Sequence, residues 1–157
     1  MLSVLQRVSQ ASVTVEGEVI GRIGQGLLVL LCAEPTDSPA QADALLEKIL
    51  KLRIFADENG RMNRSVQDVG GGLLVVSQFT LAADARKGNR PSFTAAAPPE
   101  HGKAMYDYFV QAARTRHPEV ACGEFGANMQ VALVNDGPVT IPLNIQPAQT
   151  DLAAAAR

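Results

Sequence analysis

The chain has 157 residues, nearly half of them apolar but few aromatic, and a formal net charge of −2. That length suits one domain whose core is built from Val, Leu, Ile and Ala. The charge balance excludes a global basic field for nucleic acid, so any RNA contact must be local.

Val13 and Val15 alternate with Ser12, Thr14 and Glu16, and Gly17-Glu18 turns the chain into Val19-Ile20. Gly24 and Gly26 bracket a second turn before the apolar strand LLVLLCA. A helix follows: Asp37 or Ser38 can cap it, Pro39 suits its first turn, and Ala42, Leu45, Leu46, Ile49 and Leu52 share a face. Loops are expected at Asp57–Gly60 and at Gly70-Gly71-Gly72, with a strand, LLVVSQFTL, from Leu73 to Leu81. Pro98-Pro99-Glu100 opens a second helix with Met105, Tyr108, Phe109 and Ala112 inward, and Pro118 ends it. Met129, Val131 and Leu133 then alternate as a strand that meets Asn135-Asp136-Gly137-Pro138, turns, and resumes. These elements imply an α+β domain over residues 1–145, a curled, barrel-like antiparallel or mixed sheet with two amphipathic helices packed outside. Residues 146–157 read as a flexible tail.

No apolar stretch is long enough to span a bilayer, and MLSVLQRVSQ has no signal-cleavage pattern. Cys32 and Cys122 lack CxxC spacing; they read as a buried small hydrophobe and a strand residue, reduced rather than bridged. The expectation is a cytoplasmic chain with no membrane partner and no DNA partner.

Conventional catalytic pairs are thin. His101 and His117 lie too far apart on the second helix to share a metal, and both read as solvent-facing. No nucleophile elbow, P-loop or dinucleotide fingerprint occurs, so neither metal nor cofactor is expected. The polar interruption Ser77-Gln78-Phe79-Thr80 after a buried run is more informative. Strand alternation would put Ser77 and Phe79 on one face, and Gln78 and Thr80 on the other. It reads as a sheet rim, or as a pocket floor with an aromatic plate for a base. Arg86, Lys87 and Arg90 cluster in the next loop, either simply solvated or placed for phosphates. Arg7, inside the first strand, is a rim residue with a packed stem or a brace for a carbonyl-rich turn. In that turn, proline removes a donor and makes Gly137–Pro138 one of the few bonds open to the cis form.

In wording and order, LLVVSQFTLAAD, RPSF and LVNDGPVT resemble the D-aminoacyl-tRNA deacylase family. The likeness extends through QRVSQASVTVEGEVIGRIGQGLLVLL, KLRIFADENGRMNRSV and MYDYFV to about residue 145, while Pro142 stands where many members carry an aromatic. The resemblance implies a homodimer that hydrolyses the ester joining a D-amino acid to the 3′-terminal adenosine of tRNA. It implies that Gly137-Pro138 is a Gly-cisPro unit entering the partner's pocket, where its carbonyls receive the α-ammonium and exclude an L side chain. Glycyl-tRNA would pass that filter. Phe79 would contact the terminal adenine, Ser77, Gln78 and Thr80 would line the ester, and Arg7 would support the turn. Water, assisted by the ribose 2′-hydroxyl, is the preferred attacking group; Thr80 is the alternative nucleophile. Two other classes compete: an RNA-end-binding module without turnover, and a general serine or threonine esterase.

Overall fold

The computed structural model describes residues 1–148. The long strand β1 (Leu2–Val15) organises the sheet. On one side it pairs antiparallel with β2 (Glu18–Ile23) through its second half, and with β3 (Gly26–Cys32) through its first. After helix α1 (Pro39–Lys51) and a small hairpin of β4 (Phe55–Ala56) and β5 (Met62–Arg64), strand β6 (Gly72–Ser77) lies parallel to β3. Helix α2 (Pro99–Arg116) leads to β7 (Val120–Cys122), parallel to β6. Finally β8 (Gln130–Asn144) runs antiparallel along the other side of β1. The sheet order is β2-β1-β3-β6-β7, with β8 alongside β1, and it curls into a nearly closed barrel.

Strand periodicity explains why β3 and β6 read as unbroken apolar runs. Leu27, Val29, Leu31, Leu73 and Val75 face a core shared with both helices. Their neighbours Leu28, Leu74 and Val76 face a second core inside the curl, with Val8, Val13 and Ile23. A strand buried on both faces needs no polar alternation. Crowding at the head of this pair is severe: a Cβ on Gly26 would lie 2.0 Å from the Gly72 carbonyl oxygen.

Helix α1 starts as its sequence suggests. Ser38 is the N-cap, and the Gln41 side-chain oxygen accepts the Ser38 backbone N–H at 2.7 Å. The inward face of α2 is rotated from expectation, to Met105, Tyr106, Phe109, Val110 and Ala113. Tyr108 instead reaches out to the Asp43 carboxylate at 3.0 Å, because a phenol can keep its polar end wet while its ring leans on the helix pair. His117 also departs from expectation. It is only 3 % exposed and its Nε2 meets the Gly71 carbonyl oxygen at 2.7 Å, since α2 ends against the glycine-rich lead into β6. Pro142 is accommodated opposite Val4 on the edge strand β8, where a missing donor breaks no second ladder.

No helix among the described residues is long and apolar enough to cross a membrane. The Ile145 N–H bonds the Met1 carbonyl at 2.9 Å. The expected flexible tail lies, from residue 149, outside the described residues.

Candidate functional site

Strands β3 and β6 end side by side, with Leu31 opposite Ser77. The expected strand does not continue to Leu81. The Gln78 N–H bonds the Leu31 carbonyl at 2.8 Å, and the chain then coils into a 3-10 turn, Phe79–Ala82, closed from Ala83 N–H to Thr80 O at 3.1 Å. The alternating faces expected for Ser77 to Thr80 are therefore lost. β6 has no further partner to pair with on the β3 side, because β3 itself stops at Cys32. What replaces the alternation is a cavity of about 600 Å³ beyond the carboxyl ends of the two parallel strands, a usual place for a ligand in a sheet of this kind.

The cavity gathers Ser77 from the end of β6, Gln78 and Phe79 from the start of the turn, Tyr106 from α2 and Met129 from the approach to β8. Thr80 is exposed beside it, with its hydroxyl accepting from the Gln78 amide. Tyr106 is a buried strut: its hydroxyl donates to Val75 O at 3.0 Å and reaches Gly123 O at 3.3 Å. Burial, followed by the nearby Cys122, pushes its phenol well above the ordinary range. Burial also pushes the Cys32 thiol up to about 11, with Glu34 adding to the effect, and Cys32 Sγ lies 3.6 Å from the Phe79 carbonyl. A thiol so held stays protonated and is a poor nucleophile.

Neither histidine lines the cavity or hydrogen-bonds to Ser77 or Thr80. His101 Nε2 meets Asp37 O at 2.9 Å, and buried His117 meets Gly71 O through Nε2 while its Nδ1 has no partner among the described residues. The site offers hydroxyls, an amide and main-chain groups in a largely apolar enclosure. Such a set can orient a polar ester and an attacking water.

The second group of expected site residues lies elsewhere. The Gln6–Thr140 and Val8–Asn135 pairs flank residues 136–139, which bulge out of the β1–β8 ladder rather than forming a hairpin. Within the bulge the Gly137–Pro138 bond is cis and both residues are exposed. Arg7 ties it to the segment after α1: Nε bonds Asp136 O at 2.8 Å and Nη1 bonds Ile54 O at 2.7 Å. Asn135, overlooked in the sequence beyond its turn propensity, clamps the base of the bulge. Its Nδ2 donates to Arg7 O at 3.0 Å and Val139 O at 2.9 Å. Glycine is required here because a Cβ on residue 137 would lie 2.5 Å from the Val139 nitrogen.

The three loop cations are not equivalent. Asp84 and Ser92 exchange two backbone hydrogen bonds at 2.8 Å, closing the loop between them. Arg86 folds back on Asp84, with Nη2–Oδ2 at 2.7 Å and Nε–Oδ1 at 2.9 Å. Lys87 and Arg90 form no ion pair among the described residues. Phe93, just past the loop, lines the cavity mouth and meets Phe79 edge to face at 5.1 Å.

A curled α+β sheet with a cavity past two parallel strand ends, and a separate Gly-Pro bulge braced by arginine, defines the architecture of the candidate site. The profile of the family described as D-Tyr-tRNA(Tyr) deacylase matches residues 4–144. A D-aminoacyl-tRNA deacylase of Polaromonas naphthalenivorans is 69% identical over 152 residues, covering 94% of this chain and 99% of the relative. Another, of Aromatoleum aromaticum, is 68% identical over 147 residues, covering 94% and 97%. Among solved structures, a c-Myc DNA unwinding element binding protein superposes with a TM-score of 0.88 at 44% identity, covering 94% of this chain and all of that one (100%). A probable eukaryotic D-amino acid tRNA deacylase shares the fold at 19% identity and TM-score 0.79, covering 92% and 98%. The chain belongs to the D-Tyr-tRNA(Tyr) deacylase family.

Proposed function

We propose that this family member hydrolyses D-aminoacyl-tRNA in the cytoplasm, releasing the free D-amino acid and tRNA, and thereby removes mischarged tRNA before translation. The observation that carries this reading is the cavity at the ends of β3 and β6, lined by Ser77, Gln78 and Phe79 within the stretch that matches the family. Phe79 takes the terminal adenine, and main-chain N–H groups of the Ser77–Thr80 segment polarise the ester carbonyl. Water attacks the carbonyl carbon, the bond to the ribose 3′-oxygen breaks, and that oxygen takes a proton, with the 2′-hydroxyl assisting. Neither histidine being placed to activate Ser77 or Thr80 favours water over a side-chain nucleophile.

Chirality is read by the Gly137-Pro138 bulge of a second copy. Two features support this. The bulge is absent from the lining of its own chain's cavity, although β8 contributes Val131 there. Val131 and Gly137 are separated by up to about 20 Å of strand at ~3.3 Å per residue. The exposed bulge is thus free to enter a partner's pocket, and β8, paired only with β1 among the described strands, offers a surface for a homodimer. Within that pocket the carbonyls accept the α-ammonium and occupy the space of an L side chain, so D-aminoacyl and glycyl esters pass. Lys87 and Arg90, with Arg86, receive tRNA phosphates. Deacylation of matched D- and L-tyrosyl-tRNA by the purified protein tests the reading. Rapid loss of the D-ester with the L-ester spared is expected, and equal cleavage of the two would overturn the filter.

A further inference from the structure

Phe93 and Phe79 are both exposed, at 37% and 56%, in a chain with only five phenylalanines. Two exposed rings in contact at a cavity mouth form a contiguous apolar patch of the kind that marks a ligand-binding surface. On the deacylase reading Phe79 takes the terminal adenine, and that reading assigns no occupant to Phe93. We propose that Phe93 is the stacking platform for the penultimate base of the tRNA 3′ end, so that the enzyme binds a dinucleotide rather than a lone adenosine. This inference rests on the deacylase reading above.

Three features of the surroundings fit that occupant. First, the segment bearing Phe93 is held on both sides: Ser92 is bridged to Asp84, the Phe93 carbonyl accepts from Ala96 N–H at 3.0 Å, and Ala97 N–H bonds Ala33 O at 2.9 Å. A platform must be rigid in the backbone if stacking is not to be offset by ordering. Second, the rings of Phe79 and Phe93 meet at 74° with centroids 5.1 Å apart. Two bases lying on them would therefore be splayed rather than co-stacked, which draws the terminal nucleotide into the cavity and leaves its neighbour at the rim. Third, the loop that ends at Phe93 carries the cations Lys87 and Arg90, free of ion pairs among the described residues. Cations beside an aromatic plate match a linking phosphate next to a base, the combination found in single-strand binding sites. Stacking of this kind tolerates any base and requires no hydrogen-bond readout.

The test compares D-tyrosyl-tRNA, a D-tyrosyl-cytidylyl-adenosine dinucleotide and D-tyrosyl-adenosine as substrates for wild type, Phe93→Leu and Phe93→Trp. Phe93→Leu should raise KM about five- to tenfold for the two longer substrates, within the range for loss of one stacked base. It should leave kcat for those substrates within about twofold of wild type, and raise KM for D-tyrosyl-adenosine clearly less than for the two longer substrates. Phe93→Trp should restore the longer substrates. Equal losses on all three substrates would make Phe93 merely a support for Phe79 and overturn the proposal, as would no change on any. Circular dichroism and melting of each variant exclude misfolding as the cause. Failure of the wild type to cleave any of the three esters would instead overturn the deacylase reading itself.

Discussion

Arg7 concentrates the logic of the site at the scale of a residue. Its guanidinium spans two carbonyls of different segments, Asp136 and Ile54, and its side chain is only 14% exposed. Hydrogen bonds from a charged donor contribute about 1.5–3 kcal/mol each way. Arg7→Met should therefore lower stability by about 2 kcal/mol and reduce D-tyrosyl-tRNA turnover by about tenfold or more, through the loosened bulge. Arg7→Lys should recover little, because an ammonium cannot present the two-pronged fork. Chemical denaturation and single-turnover deacylation measure both effects. Cys32 gives a pH-dependent prediction. Its folded-state value, about 11, lies above the ordinary 9.0, so folding favours the protonated thiol. This contribution is intact below pH 9 and is lost as pH rises toward 11. Wild type should lose stability across that window more steeply than Cys32→Ala, as seen in denaturant midpoints at successive pH values. Iodoacetamide at pH 8 should spare Cys32 in the native protein, and strong labelling there would contradict the assigned shift.

At the scale of elements, two glycines with similar sequence neighbours should behave oppositely. Gly26 opposes Gly72 in the parallel β3–β6 pair, so a Cβ at 26 meets backbone atoms that cannot move aside. Gly24 has nothing within 4 Å of a Cβ. Gly26→Ala should cost several kcal/mol (about 3 or more, as for a severe core overpacking). Gly24→Ala should stay within about 0.5 kcal/mol of wild type. Thermal melts decide this directly. Sequence reasoning located both glycines at a turn, but could not tell which one touches β6, since that contact joins segments far apart in the chain. The same blindness explains the wrong end of β6. LLVVSQFTL is a plausible strand by pattern, yet a strand lasts only as long as its neighbour, and β3 stops at Cys32. Likewise, His117 follows a helix whose pattern says surface, and its burial comes from the Gly70–Gly72 segment packing onto it.

For the whole molecule, the proposal that the bulge acts in the partner's pocket has a direct consequence. Phe79→Ala damages the pocket and Gly137→Ala damages the bulge. Unfolded and refolded together, the two should form mixed dimers with one site carrying both lesions and one carrying neither. A statistical mixture would recover about a quarter of wild-type activity. No recovery, with mixed dimers demonstrated by mass, would place bulge and pocket in the same site of one chain. With a net charge of −2 on the whole chain, the proposed tRNA substrate must be met by a local basic patch. Lys87→Gln with Arg90→Gln should flatten the dependence of log affinity on log salt by about 0.7 to 1.8, for one to two lost phosphate contacts. Arg86→Gln should change it less, since its guanidinium is already spent on Asp84. Fluorescence titration of aminoacylated tRNA at several salt concentrations reads the slopes.

By itself, the sequence determined the parts whose physics is local. Alternation and apolar runs place the strands, Ser38 and Pro39 start α1, and Asp136-Gly137-Pro138 breaks the last strand where few residues could. The resemblance carried by SQFT and NDGP named the family that the profile over residues 4–144 bears out. Only the tertiary structure decided that Phe79 sits on a 3-10 turn at the mouth of a cavity, that Asn135 clamps the bulge and Arg7 ties it to Ile54, and that Arg86 is occupied while Lys87 and Arg90 are not. Those facts depend on where strands end, which faces meet and which charges find partners, and such contacts are set by packing between segments that the linear pattern does not relate.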